Sequence, residues 1–146
     1  MDKFEEYKRE IESTHKDYVT LYVGDDVFLQ NGNNTSERKA PKGFSWIDYW
    51  RAMSGNHESS LECSSCGKMI FVDEIPQMLK KMYGLMGLNE NEYIALGGHL
   101  VVPEPHSHNY SGGFYIAPLC SKCNGQQGKN IKIKKGTALC REIAVD

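Results

Sequence analysis

The chain has 146 residues with a net charge of −2, 40% hydrophobic and 25% charged residues, proportions that fit one globular domain rather than two. No global basic excess marks a nucleic-acid binder and no acidic excess marks a solvated, disordered chain, so a charge-driven partner would have to meet a local patch. The N-terminal Met1-Asp2-Lys3-Phe4-Glu5-Glu6 has no apolar signal core and no apolar run approaches the roughly 18 residues of a membrane span, so a soluble, cytoplasmic protein is expected.

Phe4, Tyr7, Ile11, His15 and Tyr18 recur at three- and four-residue steps among charged residues, the stripe of an amphipathic helix. Val19 to Val23 and Val27 to Gln30 read as short strands joined by a Gly24-Asp25-Asp26 turn, and Asn31-Gly32-Asn33-Asn34 reads as an exposed loop. Ser45 and Asp48 form a capping arrangement before a short helix of Trp46, Ile47, Tyr49, Trp50 and Met53, which Gly55 can end. The two tryptophans fit core positions. His57, in a polar segment, reads as a solvated loop histidine or an additional metal ligand.

Met69 to Val72 looks strand-like, and Ile75 to Tyr83 carries apolar residues at helical spacing with Gly84 as its C-cap. Tyr93 to Val102 and Phe114 to Leu119 are the clearest later strands, joined by a long histidine-containing loop from Pro103 to Gly113.

Of five cysteines, four fall into two C-x-x-C pairs, Cys63/Cys66 and Cys120/Cys123, a spacing suited to metal ligation rather than to a disulfide framework. Four thiolates complete a tetrahedral shell around zinc and leave no open position, so the ion would be structural and would contribute folding energy. Cys63-Ser64-Ser65-Cys66-Gly67 reads as a knuckle, and Cys120-Ser121-Lys122-Cys123 follows a strand and opens a helix. Knuckle, β-hairpin, then helix is a treble-clef order. The expected fold class is therefore α+β, with an N-terminal helix-strand extension over residues 1–62. A zinc-bound treble clef would occupy 63–146, with an insertion at about 68–92, the two forming one compact unit. Cys140, beside Ala138, Leu139 and Ile143, reads as a small buried hydrophobe.

Gly97-Gly98-His99-Leu100 and Ala117-Pro118-Leu119-Cys120-Ser121-Lys122-Cys123-Asn124 resemble a zinc-containing HNH-type, or His-Me finger, endonuclease module over roughly Cys63 to Lys135. The resemblance implies His99 as the catalytic base and Asn124 as a ligand to a catalytic Mg2+ or Mn2+ distinct from the zinc, cleaving phosphodiester bonds of DNA or RNA. The motif departs from the family at three positions. Gly98 stands where an acidic metal ligand is common, Ile116 where a middle Asn is common, and Asn124 where a terminal His is common. His106, His108 and Asn109 are further polar residues of the long loop.

Lys122, Lys129, Lys132, Lys134 and Lys135 follow one another with no acid between Ser121 and Gly136, which fits either phosphate contacts or a solvated face. Two readings follow: a divalent-metal-dependent nuclease, or a catalytically inactive zinc-scaffolded binding protein that engages another protein or nucleic acid.

Overall fold

The computed structural model describes residues 2–32, 37–102 and 114–144. Helix α1 spans Lys3–Thr14, started by Asp2, whose carboxylate accepts from the Glu5 N–H at 2.8 Å. It buries Phe4, Tyr7 and Ile11, the leading part of the predicted stripe; His15 caps the helix and Tyr18 lies beyond it. Helix α2, Trp46–Ser54, starts with the Ser45 hydroxyl accepting from the Asp48 N–H and ends at Gly55, whose φ of 83° lies in the left-handed region that glycine occupies without strain.

Among the described residues, six strands make one antiparallel sheet: β1 (Thr20–Tyr22), β2 (Val27–Asn31), β5 (Leu96–Val101), β6 (Phe114–Leu119), β7 (Asn130–Ile133) and β8 (Ala138–Arg141). Their spatial order is β1-β8-β6-β5-β2-β7. β3 (Ser60–Glu62) and β4 (Met69–Phe71) form a separate hairpin that carries the first cysteine pair on its turn. The protein is thus a small mixed α/β single domain in which strands from both sides of residue 62 share one sheet.

The links 23–26 and 134–137 dictate the shape of that sheet. Each joins strands four positions apart in the order, about 19 Å in a flat sheet, whereas five residue steps reach only about 17 Å. The sheet therefore has to curl. The predicted β1 and β2 are present, but they pair with β8 and with β5 and β7 rather than with each other.

Strand register sorts the core into two faces. Leu29, Leu100, Leu119, Ile131, Ile133 and Leu139 share the concave face and are all buried. The opposite face, at β5, β6 and β8, lies under α2. Trp50 Nε1 donates to the Ala138 carbonyl at 2.8 Å, and Cys140, fully buried beneath α2, has its thiol pushed up to about 11 by burial. Gly97 is what lets the helix approach: a Cβ there would lie 2.5 Å from the Trp46 carbonyl carbon.

Several boundaries differ from the sequence expectation. Helix α3 spans Gln77–Leu85 and passes through Gly84; the left-handed residue is Gly87, at φ 71°. The Leu88 N–H reaches back to the Tyr83 carbonyl at 2.8 Å, closing a Schellman wrap. Tyr93, expected to open a strand, instead ends the 3-10 turn Glu90–Tyr93, where the Asn89 side chain accepts from the Asn91 N–H, and β5 begins at Leu96. Asn31, expected in an exposed loop, is the last residue of β2 and is 1% exposed. Among the described residues no helix is long and apolar enough to cross a membrane.

Candidate metal centre and the buried charge cluster

The β3–β4 turn is built by its own backbone. The Cys63 N–H donates to the Lys68 carbonyl at 2.7 Å, the Gly67 N–H to the Cys63 carbonyl at 3.0 Å, and Gly67 takes φ 80°. The second pair sits at helix α4, Ser121–Asn124, with Cys120 as its N-cap and Cys123 inside its only turn. The Ser64 N–H donates to the Pro118 carbonyl at 2.9 Å, so the knuckle is bonded to the end of β6 two residues before Cys120.

All four sulfurs lie within 4.8 Å of one another, and Cys66 Sγ is 3.8 Å from Cys120 Sγ. A tetrahedral ion with bonds of about 2.3 Å to sulfur sets its ligands about 3.8 Å apart, so the cluster has the dimensions of a four-thiolate metal site. Cys63, Cys120 and Cys123 are buried and Cys66 is exposed, and none is in a disulfide.

Their protonation chemistry fits a cation. Burial raises the Cys63 thiol, but N–H donors from Cys120, Cys66 and Ser65 outweigh it and hold the group below the usual thiol range. Cys66 and Cys123 are both raised, first by burial and then by the neighbouring sulfur charge. Four thiolates this close repel one another until a cation at their centre compensates. These residues can hold a metal ion such as zinc.

Asn31 is a support that the sequence reading passed over. From the concave face its Nδ2 donates to the Cys123 carbonyl at 3.2 Å and to the Asn124 carbonyl at 2.9 Å, the two C-terminal carbonyls of α4. An Asn31→Ala variant leaves both carbonyls without that donor and should lose about 2 kcal/mol of stability. The accompanying expectation is faster release of metal to a chelator in stopped-flow measurements.

His99 and Asn124, the two residues singled out for catalysis, sit on opposite sides of the sheet. A Cβ on Gly98 would be 3.1 Å from Asn124 Oδ1 and 2.3 Å from Leu119 Cδ1, so the concave face of β5 meets Asn124. His99, the next residue, points to the α2 side by strand alternation. There its ring lies edge-on to Trp46 (centroids 4.9 Å apart) and Phe114 (5.6 Å) and is 5% exposed.

His99 Nε2 is 3.0 Å from Glu142 Oε2, a close approach off the line of an ideal hydrogen bond. Glu142 also takes a two-pronged contact from Arg38 through Nε and Nη2, and Arg38 lies over the Phe114 ring with 5.2 Å from Cζ to centroid. Burial raises the Glu142 carboxyl, yet His99 and Arg38 together hold it below the usual range. Arg38 and Glu142 are 104 residues apart and neither belongs to a motif, so no local pattern could have announced them.

The lysine run is partly neutralised. Lys132 pairs with Asp26 at 3.3 Å and Lys134 with Glu62 at 3.0 Å, while Asp26 also accepts the Lys135 N–H at 2.7 Å. Lys122 and Lys129 are exposed on α4 and just before β7. His57 packs against Phe4 at 4.7 Å between ring centroids and takes no part in the cysteine cluster. His106, His108 and Asn109 lie outside the described residues.

No family model matches the chain, and neither a curated protein nor a solved structure matches it.

Proposed function

We propose that Cys63, Cys66, Cys120 and Cys123 hold one structural zinc ion in a treble-clef arrangement. On this reading the chain is an HNH-like, catalytically inactive scaffold that binds another protein. What supports the zinc is the donor set: four thiols at tetrahedral spacing fill the shell of an ion for which sulfur is the preferred ligand, leaving no position for substrate. What supports the treble clef is the order of knuckle, β5–β6 hairpin and α4 along the chain.

The observation that carries the inactive reading is the burial of His99 against Glu142 and Arg38, across the sheet from Asn124. A base and a metal ligand must converge on one phosphate to cleave it, and a general base needs its nitrogen free for water. His99 is 5% exposed, with its ring packed edge-on against Trp46 and Phe114. Glycine at position 98 also leaves Asn124 without the carboxylate partner common in active HNH modules, so a Mg2+ or Mn2+ ion would have little to hold it.

The test is incubation of the zinc-loaded protein with plasmid DNA and with RNA in Mg2+ or Mn2+, beside a His99→Ala variant. The expected result is no cleavage by either protein and a lower melting temperature for the variant. Cleavage by the wild type that His99→Ala abolishes, with zinc content and folding retained, would overturn the reading.

A further inference from the structure

The sulfurs of the metal centre differ in what can reach them. Cys63, Cys120 and Cys123 are buried, as is the remote Cys140, so Cys66 is the one exposed cysteine of the five. Its nearest partner is close at hand: Cys66 Sγ lies 3.8 Å from Cys120 Sγ. Cys120 is fully buried, so a reagent from solvent meets Cys66 first. An accessible thiolate poised beside a second, shielded sulfur is the arrangement of an oxidisable cysteine and its resolving partner.

Cys66 opens onto a cavity of about 400 Å³ that has Gly67, Lys132, Lys134, Lys135 and Asp26 among its walls. Lys134 Nζ stands 3.4 Å from where a Cβ on Gly67 would lie, one residue beyond Cys66. Its carboxylate partner, Glu62, is not a wall of this cavity. Three ammonium groups and one carboxylate thus line the space in front of the exposed sulfur. Positive charge fixed there stabilises an anion that forms during a reaction at that sulfur. Oxidation of a thiolate by a peroxide is such a reaction, because hydroxide is the group that leaves.

We infer that Cys66 is an oxidation site for hydrogen peroxide, where a Cys66–Cys120 disulfide forms and the metal is released with the fold retained. This rests on the zinc reading above and adds the reagent, the sulfur attacked first and its partner. Bound as metal ligands, the cysteines are thiolates. The Cys66 thiolate attacks one peroxide oxygen: an S–O bond forms, the O–O bond breaks and hydroxide leaves beside Lys134. Cys66 is then a sulfenic acid. The Cys120 thiolate attacks its sulfur, so that an S–S bond forms, the S–O bond breaks and a second hydroxide leaves. The two thiolates have lost two electrons, and the peroxide, with two protons from solvent, has become two waters. Cys63 and Cys123 alone are too few to hold a tetrahedral ion. The new bond joins the β3–β4 knuckle to the start of α4, the same elements that the metal ties, so the fold outlasts the ion.

The experiment treats the full zinc-loaded chain, its metal content measured first, with hydrogen peroxide in the presence of a chromogenic zinc indicator. About one zinc per chain should be released, in step with a Cys66–Cys120 disulfide in peptide mass spectrometry and with Cys140 still a free thiol. Circular dichroism should stay close to that of the loaded protein, and a dithiol reductant with added zinc should restore the metal content. Lys134→Gln, which alters no ligand, should take up the same amount of zinc and release it about threefold or more slowly.

A disulfide within either C-x-x-C pair, retention of the zinc, or collapse of the circular dichroism signal on oxidation overturns the inference. So does an unchanged rate of release in Lys134→Gln. A chain that takes up no zinc overturns the zinc reading itself, and the initial metal measurement tells that failure from the others.

Discussion

Chelating the metal should unfold this protein. A structural zinc contributes about 10–16 kcal/mol in small zinc modules, as much as or more than the roughly 5–15 kcal/mol net stability of a typical domain. Here the ion would tie the β3–β4 knuckle to the N-terminus of α4, and those elements share only a few direct bonds, such as Ser64 N–H to the Pro118 carbonyl. Circular dichroism during titration with a strong chelator should show cooperative loss of structure at about one metal released per chain. Cys120→Ser should reproduce it, because Cys120 is fully buried and also caps α4. Cys66→Ser, at the exposed corner, should keep three ligands and lose metal affinity with less damage to the fold. A metal-free wild type that melts at the same temperature as the loaded protein would refute the site.

The second large effect is expected at Glu142, 8% exposed and the hub of the charge cluster. Glu142→Gln removes the carboxylate charge that Arg38 and His99 face. Breaking a buried pair in this way costs about 3–5 kcal/mol, and the lower end applies because the Arg38 side chain is 38% exposed. The sign of the pH dependence follows from the direction of the shift. A carboxyl held below its unfolded value stabilises the fold fully above that value, about 4.3 for glutamate, and loses its contribution as pH falls through the folded value. The gap between wild type and Glu142→Gln in urea midpoint should therefore be constant near neutrality and begin to close below about pH 4.3. Protonation of the cysteines is common to both chains and cancels in the difference. A gap that is absent at pH 7, or one that widens on acidification, would show that the cluster does not stabilise the fold.

What could be read from the residues was what local chemistry determines. Ser45 and Gly55 bounded α2, Phe4, Tyr7 and Ile11 marked the buried stripe of α1, and Phe114 to Leu119 is a strand end to end. The cysteine cluster was legible because metal ligation requires paired spacing and each pair is short. Strand partners were not legible. Nothing in Thr20–Tyr22 says that it pairs with Ala138–Arg141 rather than with its neighbour Val27–Asn31, since both choices bury the same alternating residues.

The side of the sheet that His99 occupies was hidden for a similar reason. Alternation says that His99 and Gly98 point opposite ways, but only the tertiary packing of α2 and α4 says which way carries Asn124. The resemblance to HNH modules supplied residue identities without that geometry. Arg38, Glu142 and Asn31 escaped notice because each acts on a partner distant in sequence, and a lone Asn after a strand looks like a turn residue until its amide is found under the carbonyls of α4.

The interleaved order of the sheet also governs how the chain can be made. During vectorial synthesis, Thr20–Tyr22 leaves the ribosome long before Ala138–Arg141, its partner strand, and Val27–Asn31 waits for both Leu96–Val101 and Asn130–Ile133. The nascent chain therefore holds unpaired strand edges until Ala138–Arg141 has emerged, a state of high contact order that folds slowly and is open to mispairing. The last strand to arrive closes the sheet, and the residue that follows it, Glu142, neutralises Arg38, which emerged about a hundred residues earlier. The core is thus closed only once Ala138–Arg141 and Glu142 are in place.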